Sequence, residues 1–198
     1  MADTSNENIC AVVVTYNRKQ LLIECLEAIR KQTRPLQAIY IIDNASTDGT
    51  PSLLRGNGYI SELPPDNLNE PWEREFSIKN LSDGNKIKIH YVRMNTNTGG
   101  AGGFYEGVKR GYERGYDWLW LMDDDAEPKE DAIEKLENYF SKDNLSALAS
   151  SVVLASGAIS YNHRGNINLH RVFPLLQKPL ESRFYKSNYI DVDMASFV

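Results

Sequence analysis

The sequence predicts an α/β protein with a mostly parallel central sheet and helices on both of its faces. Ile9–Thr15 is a continuous, largely β-branched run, which is typical of a strand covered on both faces. A second apolar run, Ala38–Ile42, follows a helical segment, and such strand–helix–strand units are parallel and right-handed in nearly all cases. A later apolar run, Trp118–Met122, ends in the three carboxylates Asp123–Asp125, as expected where a buried strand meets solvent.

The first helix is predicted between the two leading strands. Asn17 can cap this helix, because Gln20 follows three residues later at the spacing of a capping box. The apolar residues that recur at helical spacing are Leu21, Leu22, Cys25, Leu26 and Ile29.

The segment from Gly56 to Gly84 breaks this rhythm, and we interpret it as an inserted loop that is ordered only in part. Its glycines and prolines alternate with acids and amides, without a repeat. A third strand, Lys86–Arg93, then shows alternating apolar residues. A glycine-rich run follows it and leads into a helix that continues through Val108 and Tyr112.

The remainder is predicted to contain a helix after Pro128 and a further apolar strand at Leu145–Ala155. Ser156–Asn188 is a mixed stretch, and the last run, Tyr189–Val198, alternates and stops on apolar residues. A natural C-terminus seldom ends inside an apolar strand. We therefore expect a single domain over residues 1–198 that is truncated at its C-terminus.

Composition is that of a globular protein and excludes several classes. Hydrophobic residues make up 41% and charged residues 25% of the chain, and a net charge of −5 offers no basic face to nucleic acid. No window reaches the ~20 apolar residues of a membrane span, and the polar Met1–Asn8 is no secretory signal. Cys10 and Cys25 fall on apolar faces, so we expect reduced core thiols and a cytoplasmic protein.

Four polar segments each follow a predicted strand and so share one edge of the sheet, where open α/β sheets bind ligands. They are Thr15–Arg18, Asp43–Asn44, Asn97–Gly103 and Asp123–Asp125. Glycines at a helix start let a ligand approach free backbone amides, and carboxylates together with substrate phosphates suit a hard divalent cation. Alternate residues of an extended segment point the same way, so Asp123 and Asp125 are predicted to face the metal. These features predict a nucleotide-diphosphate site.

Each segment also has a simpler interpretation. The three aspartates would be a solvated acidic turn before a helix, and the glycines would be a flexible turn, since short motifs are weak evidence alone. Asp43 would only hold its own loop through Ser46 and Thr47. A Rossmann dehydrogenase is disfavoured because no glycine fingerprint follows the first strand, and the P-loop pattern is absent.

Longer strings of residues resemble a known family. Val13–Arg18, Ile42–Thr50 and the Asp-Xaa-Asp cluster are similar to sequences of family 2 inverting glycosyltransferases of the GT-A fold. Asn97–Phe104 and Leu121–Asp125 resemble the galactofuranosyltransferase and rhamnosyltransferase branch. The resemblance implies a Rossmann-like nucleotide-diphospho-sugar transferase fold and inverting transfer of galactofuranose or rhamnose from a UDP- or dTDP-sugar. It also implies Mg²⁺ or Mn²⁺ and a glycan or lipid-linked acceptor, as in polysaccharide biosynthesis at the cell envelope.

The resemblance also implies roles for individual residues. Asp43 would contact the nucleotide base, Asp123 would lie beside the ribose and the metal, and Asp125 would bind the metal directly. The implied nucleotide-binding residues are Thr15, Tyr16, Asn17, Arg18, Asp43, Asn44, Asn97, Gly99, Gly100, Asp123 and Asp124.

Inversion further requires a carboxylate base that takes the proton of the acceptor hydroxyl. In the family this base lies in an acidic cluster after a strand that resembles Tyr189–Val198, and no such cluster is present here. We therefore expect the base beyond Val198, with Asp191 and Asp193 as weaker candidates within the chain. His163 and His170 are interpreted as surface-loop residues.

Two other functions stay open. One is a nucleotide-sugar binding module that does not catalyse. The other is a metal-dependent nucleotidyltransferase, although Thr15–Arg18 lacks the glycine- and arginine/lysine-rich loop that such an enzyme usually has. With a lipid-linked acceptor, we expect peripheral association at the inner face of the cell membrane through the part beyond Val198.

Overall fold

The protein forms two compact units, Met1–Asn144 and Leu145–Val198, and the single domain predicted from the sequence stays a prediction. The computed structural model describes residues 7–141, 145–167, 177–186, 190, 192 and 194–195. Chain length is only a soft guide to domain number, and 198 residues are compatible with more than one unit.

A five-stranded sheet forms the centre of the first unit. In chain order its strands are β1 (Ile9–Thr15), β2 (Ala38–Asp43), β3 (Trp72–Lys79), β4 (Lys86–Arg93) and β5 (Trp118–Asp123). Their order across the sheet is β3-β4-β2-β1-β5, and only the β3–β4 pair is antiparallel. The predicted α/β class with a mostly parallel sheet is confirmed. The carboxyl ends of the four parallel strands therefore meet at one edge.

Helices cover both faces of this sheet. The α-helices found in the described residues are α1 (Lys19–Arg30), α2 (Thr50–Gly56), α3 (Gly99–Glu113) and α4 (Ala132–Glu137). Successive residues of β1 point to opposite faces: Val13 belongs to a core shared with α1, α2 and α4, and Val12 to a second core against which Phe104 of α3 packs. In the described part of the chain, no helix combines the length and apolarity needed to span a membrane.

Glycines bring α3 close to the sheet. Gly103, Gly107 and Gly111 are buried at intervals of four residues along the helix. A Cβ at Gly103 would lie 2.5 Å from Cγ1 of Val14, and one at Gly111 would lie 2.5 Å from Cδ2 of Leu119. This packing fixes the start of α3 at the ligand-binding edge.

The segment expected to be a loop between Gly56 and Gly84 contains the edge strand β3. The strand pairs antiparallel with β4 along its whole length. Trp72, Phe76 and Ile78 pack partly against the core, while Arg74 and Glu75 between them are exposed. An edge strand that faces solvent on one side carries many polar residues, and this concealed its pattern among the neighbouring turns.

The second unit differs from the prediction at Leu145–Ala155, where no continuous strand forms. In the described residues of that stretch only an isolated bridge joins Val153 to Ile159. An apolar run becomes a strand only where a neighbouring strand completes the hydrogen-bond ladder. A three-stranded antiparallel sheet forms instead, with β6 at Arg164–Ile167 between β7 at Gln177–Pro179 and β8 at Met194–Ala195. Short 3-10 turns occupy Tyr161–His163 and Ser182–Lys186.

Candidate functional site

The loop after β1 is tied to the acidic turn after β5. The two strands are neighbours, with Val14 beside Asp123 in the register. The Thr15 hydroxyl donates a hydrogen bond of 2.6 Å to Oδ2 of Asp124, and the backbone N–H of Tyr16 also bonds to that carboxylate. Asp124 is therefore buried and turned into the protein.

Arg18 brings a positive charge to the same turn. Its Nη1 lies 2.8 Å from Oδ2 of Asp125 and 3.5 Å from Oδ1 of Asp124. The side chains of Arg18 and Asp125 are 52% and 41% exposed, whereas that of Asp124 is 4% exposed. One guanidinium thus faces two carboxylates at the rim of the site.

The acidic turn carries more negative charge than its surroundings balance. Burial raises the pKa of Asp123 above its ordinary value, and the carboxylates of Asp125 and Asp124 add to this effect. Burial also raises the pKa of Asp124, although the Thr15 hydrogen bond and Arg18 act in the opposite direction. A cation at this position would relieve the repulsion among the three acids.

The donor set fits a metal that is shared with a substrate. Within the residues that the structure describes, no three acidic, histidine or cysteine side chains converge as a preformed metal cage. Asp123 and Asp125 remain partly exposed. Mg²⁺ is commonly held by one or two carboxylates together with substrate phosphate oxygens and water, and this turn offers that arrangement.

Asn17 locks two loops together and does not cap α1 as predicted. Its Oδ1 accepts a hydrogen bond of 2.6 Å from the Thr47 N–H, and its own N–H donates to Oγ of Ser46 at 3.1 Å. Its φ of +56° is left-handed, whereas a capping residue usually has extended backbone. The carboxylate of Asp48 caps α1 instead, by accepting the Lys19 N–H at 3.1 Å.

Asp43 is fully buried beneath the edge of the sheet. Its Oδ1 accepts the Ser46 N–H at 2.8 Å, and its Oδ2 accepts the Tyr91 hydroxyl and Nη1 of Arg93, both at 2.7 Å. Both oxygens are engaged and neither is exposed. In this structure both oxygens hold the surrounding loop and strands, and the direct contact of Asp43 with a nucleotide base stays a prediction.

Asn44 fixes the glycine loop in front of α3. Its Nδ2 donates to Oδ1 of Asn97 at 2.9 Å and to the Gly99 carbonyl at 3.0 Å, while its Oδ1 accepts the Thr98 N–H at 2.9 Å. Oδ1 of Asn97 also accepts the Gly99 N–H at 2.8 Å. Both asparagine side chains are thus committed to the loop itself.

The glycines of this loop have two different roles. A Cβ at Gly99 or Gly100 would meet no other atom within 4 Å, so both leave the backbone open to an approaching ligand. Gly99 also needs its left-handed φ of +72°, which most side chains would oppose. By contrast, Gly102 packs against Thr98 and Gly103 against the sheet.

A cavity of about 300 Å³ adjoins the carboxyl ends of β2 and β4. Its walls come from three places: the loop at 45–52, the segment at 63–68 and the residues at 93–95. Arg93, which pairs with Asp43, lines this cavity, and its Nη2 donates to the Ser46 carbonyl at 2.6 Å. The buried Asp43 therefore determines the position of a cavity wall.

The first unit brings the four predicted site segments together. The sequence indicated no role for three further residues of this region, Thr98, Asp48 and Arg93. Thr98 and Asp48 lie within the motif strings Asn97–Phe104 and Ile42–Thr50, but the motifs gave no role to either residue. Arg93 ends β4 at the ligand-binding edge, so asking which side chain closes that strand would have found it. Asp191, Asp193 and His170 lie outside the described residues, and His163 ends a 3-10 turn of the second unit.

A family model described as "Glycosyl transferase family 2" matches residues 10–57 and 74–196, which is more than half of the chain. The chain belongs to glycosyl transferase family 2. The matched residues include β1, β2, β4 and β5 together with their loops. The family suggested by the motifs is thereby confirmed.

Two relatives in mycobacteria carry the same name. Galactofuranosyltransferase GlfT1 of Mycolicibacterium smegmatis is 32% identical over 130 residues, covering 66% of this chain and 34% of the relative. GlfT1 of Mycobacterium tuberculosis H37Rv is 29% identical over 120 residues, covering 61% of this chain and 31% of the relative. The chain therefore spans about a third of the length of these relatives.

Among solved structures, a mannosyltransferase from Pyrobaculum calidifontis, PcManGT, has a similar fold. The TM-score is 0.50 at 22% identity, and the match covers 77% of this chain and 37% of the other. That structure is a complex with GDP-Man and Mn²⁺. The likeness supports the GT-A fold that is expected for the family.

Proposed function

We propose that this chain is the donor-binding part of an inverting glycosyltransferase, which moves a sugar from a nucleotide diphosphate to a glycan or lipid-linked acceptor. The observation that carries the proposal is the link between two loops, in which Thr15 holds Asp124 and Arg18 faces Asp125. An arginine suited to phosphates thereby neighbours carboxylates suited to a metal. Membership of glycosyl transferase family 2 supports sugar transfer as the chemistry.

The proposed donor is a UDP- or dTDP-sugar that carries galactofuranose or rhamnose. The relatives named galactofuranosyltransferase support galactofuranose first. The GDP-Man and Mn²⁺ of the mannosyltransferase structure support a nucleotide-sugar donor with a divalent ion, although its base and sugar differ from those proposed here.

The nucleoside is proposed to enter the cavity beside β4. In this arrangement Asp43 does not contact the base, and it positions Arg93 and Ser46, both of which line the cavity. Tyr16 is 44% exposed at the neighbouring loop and offers an aromatic face to the nucleotide. Base preference would then follow from the shape and polar groups of the cavity.

The diphosphate is proposed to lie between Arg18 and the backbone at Gly100, where the start of α3 favours negative charge and the absence of side chains at Gly99 and Gly100 leaves room. Asp123 and Asp125 would hold Mg²⁺ or Mn²⁺. The bound ion would offset negative charge on the leaving diphosphate. Thr15 keeps Asp124 in place, so the acidic turn retains its shape while its other two carboxylates bind.

The acceptor hydroxyl must pass its proton to a carboxylate base as it attacks the anomeric carbon. We propose that this base lies beyond Val198, with Asp191 and Asp193 as the candidates within the chain. The variants Asp191→Asn and Asp193→Asn test the second possibility, because removal of a general base typically slows transfer by about 10²–10⁴-fold.

The experiment is a donor-turnover assay with Mn²⁺, UDP-galactofuranose or dTDP-rhamnose, and a panel of glycan acceptors, run on a protein extended beyond Val198 so that it contains the proposed base. Metal-dependent release of UDP or dTDP, lost in Asp125→Ala, is the expected result. Nucleotide binding without any release would favour the non-catalytic binding module. Absence of both binding and release with every donor would contradict the proposal.

A further inference from the structure

The pairing between Arg18 and Asp125 conflicts with the separate tasks proposed for the two residues. Asp125 is to bind the metal, and Arg18 is to bind the diphosphate. In the structure Nη1 of Arg18 lies 2.8 Å from Oδ2 of Asp125, so the guanidinium occupies one oxygen of the carboxylate that the metal needs. Two positive groups cannot share one carboxylate oxygen at these distances without strong repulsion. Binding of the metal to this carboxylate is therefore opposed while the guanidinium stays in place.

Arg18 is the group that is free to move. Its side chain is 52% exposed, whereas Asp124 is held from behind by the Thr15 hydroxyl at 2.6 Å and stays buried. The backbone before Arg18 is anchored because Asn17 accepts the Thr47 N–H at 2.6 Å. A rotation of the arginine side chain therefore suffices, and neither the loop nor the acidic turn needs to shift.

The diphosphate supplies the reason for that rotation. A guanidinium forms bidentate, charge-assisted hydrogen bonds with phosphate oxygens, and these rival its contact with a partly exposed carboxylate. The released Asp125 would then be able to hold the metal together with oxygens of the same diphosphate. The described residues provide no cage of three carboxylate, histidine or cysteine ligands that would hold the ion firmly without a substrate.

We propose that Arg18 is an internal counter-ion that occupies Asp125 in the donor-free protein and hands it to the metal when the donor diphosphate draws the arginine away. Arg18 thus opposes binding of the metal alone and promotes binding of the donor, so that the two bind together. The proposal rests on the proposed function and adds that Arg18 leaves Asp125 before the metal takes its place.

The test is a calorimetric titration of Mn²⁺ alone, without nucleotide, into the wild type, Arg18→Ala and Arg18→Gln. Loss of the guanidinium is expected to tighten Mn²⁺ binding by about two- to tenfold, because an exposed ion pair and the repulsion of a like charge are both removed. The same variants are expected to bind UDP more weakly than the wild type. Tighter Mn²⁺ binding together with weaker UDP binding in the same variant is the result that the exchange predicts.

Arg74→Ala is the matched control. Arg74 is 53% exposed and pairs with Glu62 at 3.3 Å on β3, so its removal deletes the same charge and a comparable ion pair away from the site. Its Mn²⁺ affinity should equal that of the wild type. Circular dichroism confirms folding, and Arg18→Gln retains most of the side-chain volume should Arg18→Ala fold poorly.

The outcomes separate the two proposals. Unchanged or weaker Mn²⁺ binding in both Arg18 variants, in a protein that still binds UDP with Mn²⁺, would overturn the exchange and leave the proposed function standing. A wild type that binds no nucleotide with Mn²⁺ would overturn the proposed function itself.

Discussion

At the scale of single residues, adjacent carboxylates in this protein have unlike environments. Asp124 is buried against Thr15, and Asp125 reaches the surface to meet Arg18. Asp43, at the end of a neighbouring strand, is completely buried, and both of its carboxylate oxygens accept hydrogen bonds from neighbouring residues. The chemistry of each acid therefore follows from its contacts and not from its place in a motif.

The buried ion pair of Asp43 and Arg93 leads to a stability prediction. Asp43→Ala leaves the guanidinium and the Tyr91 hydroxyl without their acceptor, and breaking a buried pair from one side costs about 3–5 kcal/mol. We expect urea unfolding to show a loss near the lower end of this range, because Arg93 is 18% exposed. The protein that stays folded should keep its ranking of UDP over ADP and GDP.

Glu70→Ala removes one exposed acid from the same unit and is the control for that loss. Its unfolding free energy should stay within about 0.5 kcal/mol of the wild type. A change of nucleotide ranking in Asp43→Ala at full stability would instead assign Asp43 to the base.

The buried His90 leads us to predict that the free energy of unfolding falls as the pH is lowered. Burial lowers the pKa of His90 to about 4, and the nearby Arg114 adds to this effect, while Glu75 and Glu73 oppose it. Because the folded pKa lies below the ordinary value of about 6.5, the unfolded chain takes up the proton first as the pH falls. The unfolding free energy should therefore decrease from pH 6.5 towards pH 4.

Between pH 7 and pH 5 this loss should amount to about 2 kcal/mol in urea unfolding. His90→Gln removes the titrating group and should show a smaller decrease over the same interval. An equal decrease in the variant would assign the acid sensitivity to other groups.

At the scale of elements, the contact of α3 with the sheet depends on glycine. Gly107→Ala would press a methyl group into Val12 of β1, and overpacking of this kind costs about 1–3 kcal/mol. Gly56→Ala at the end of α2 is the matched control, because a Cβ there meets nothing within 4 Å. Thermal unfolding should show a lower Tm for Gly107→Ala alone. Equal Tm values would mean that α3 does not need this close approach.

At the scale of the whole molecule, the sequence predicts the parallel strands of the central sheet better than it predicts the antiparallel edge strand and the second unit. β1 and β2 are continuous apolar runs because both of their faces are buried, whereas β5 is an apolar run whose residues are mostly half-buried at the end of the sheet. These apolar runs are visible without a structure. The edge strand β3 was missed because half of its residues face solvent. The strand expected at Leu145–Ala155 does not form. The prediction was wrong because the sequence does not indicate which strand would pair with this apolar run.

The candidate site was predictable in part, because the strand ends could be located from the sequence but the contacts between them could not. The four strand ends are local features, and their common edge follows from the parallel fold. The contacts that define each role are distant: Arg18 and Asp125 are 107 residues apart, and Asp43 and Arg93 are 50 apart. Only the sheet register brings these pairs together, so the sequence indicated Asp43 without revealing its contacts with Tyr91 and Arg93.

The central claim is that the acidic turn after β5 binds a metal together with a donor diphosphate, and calorimetry tests it directly. UDP is titrated into the wild type, Asp125→Ala and Glu127→Ala, each with and without Mn²⁺. Glu127 is exposed two residues further on, so its removal controls for the loss of one negative charge. We predict Mn²⁺-dependent UDP binding that is retained in Glu127→Ala and abolished in Asp125→Ala. Equal Mn²⁺-dependent binding by the wild type and Asp125→Ala would contradict the account.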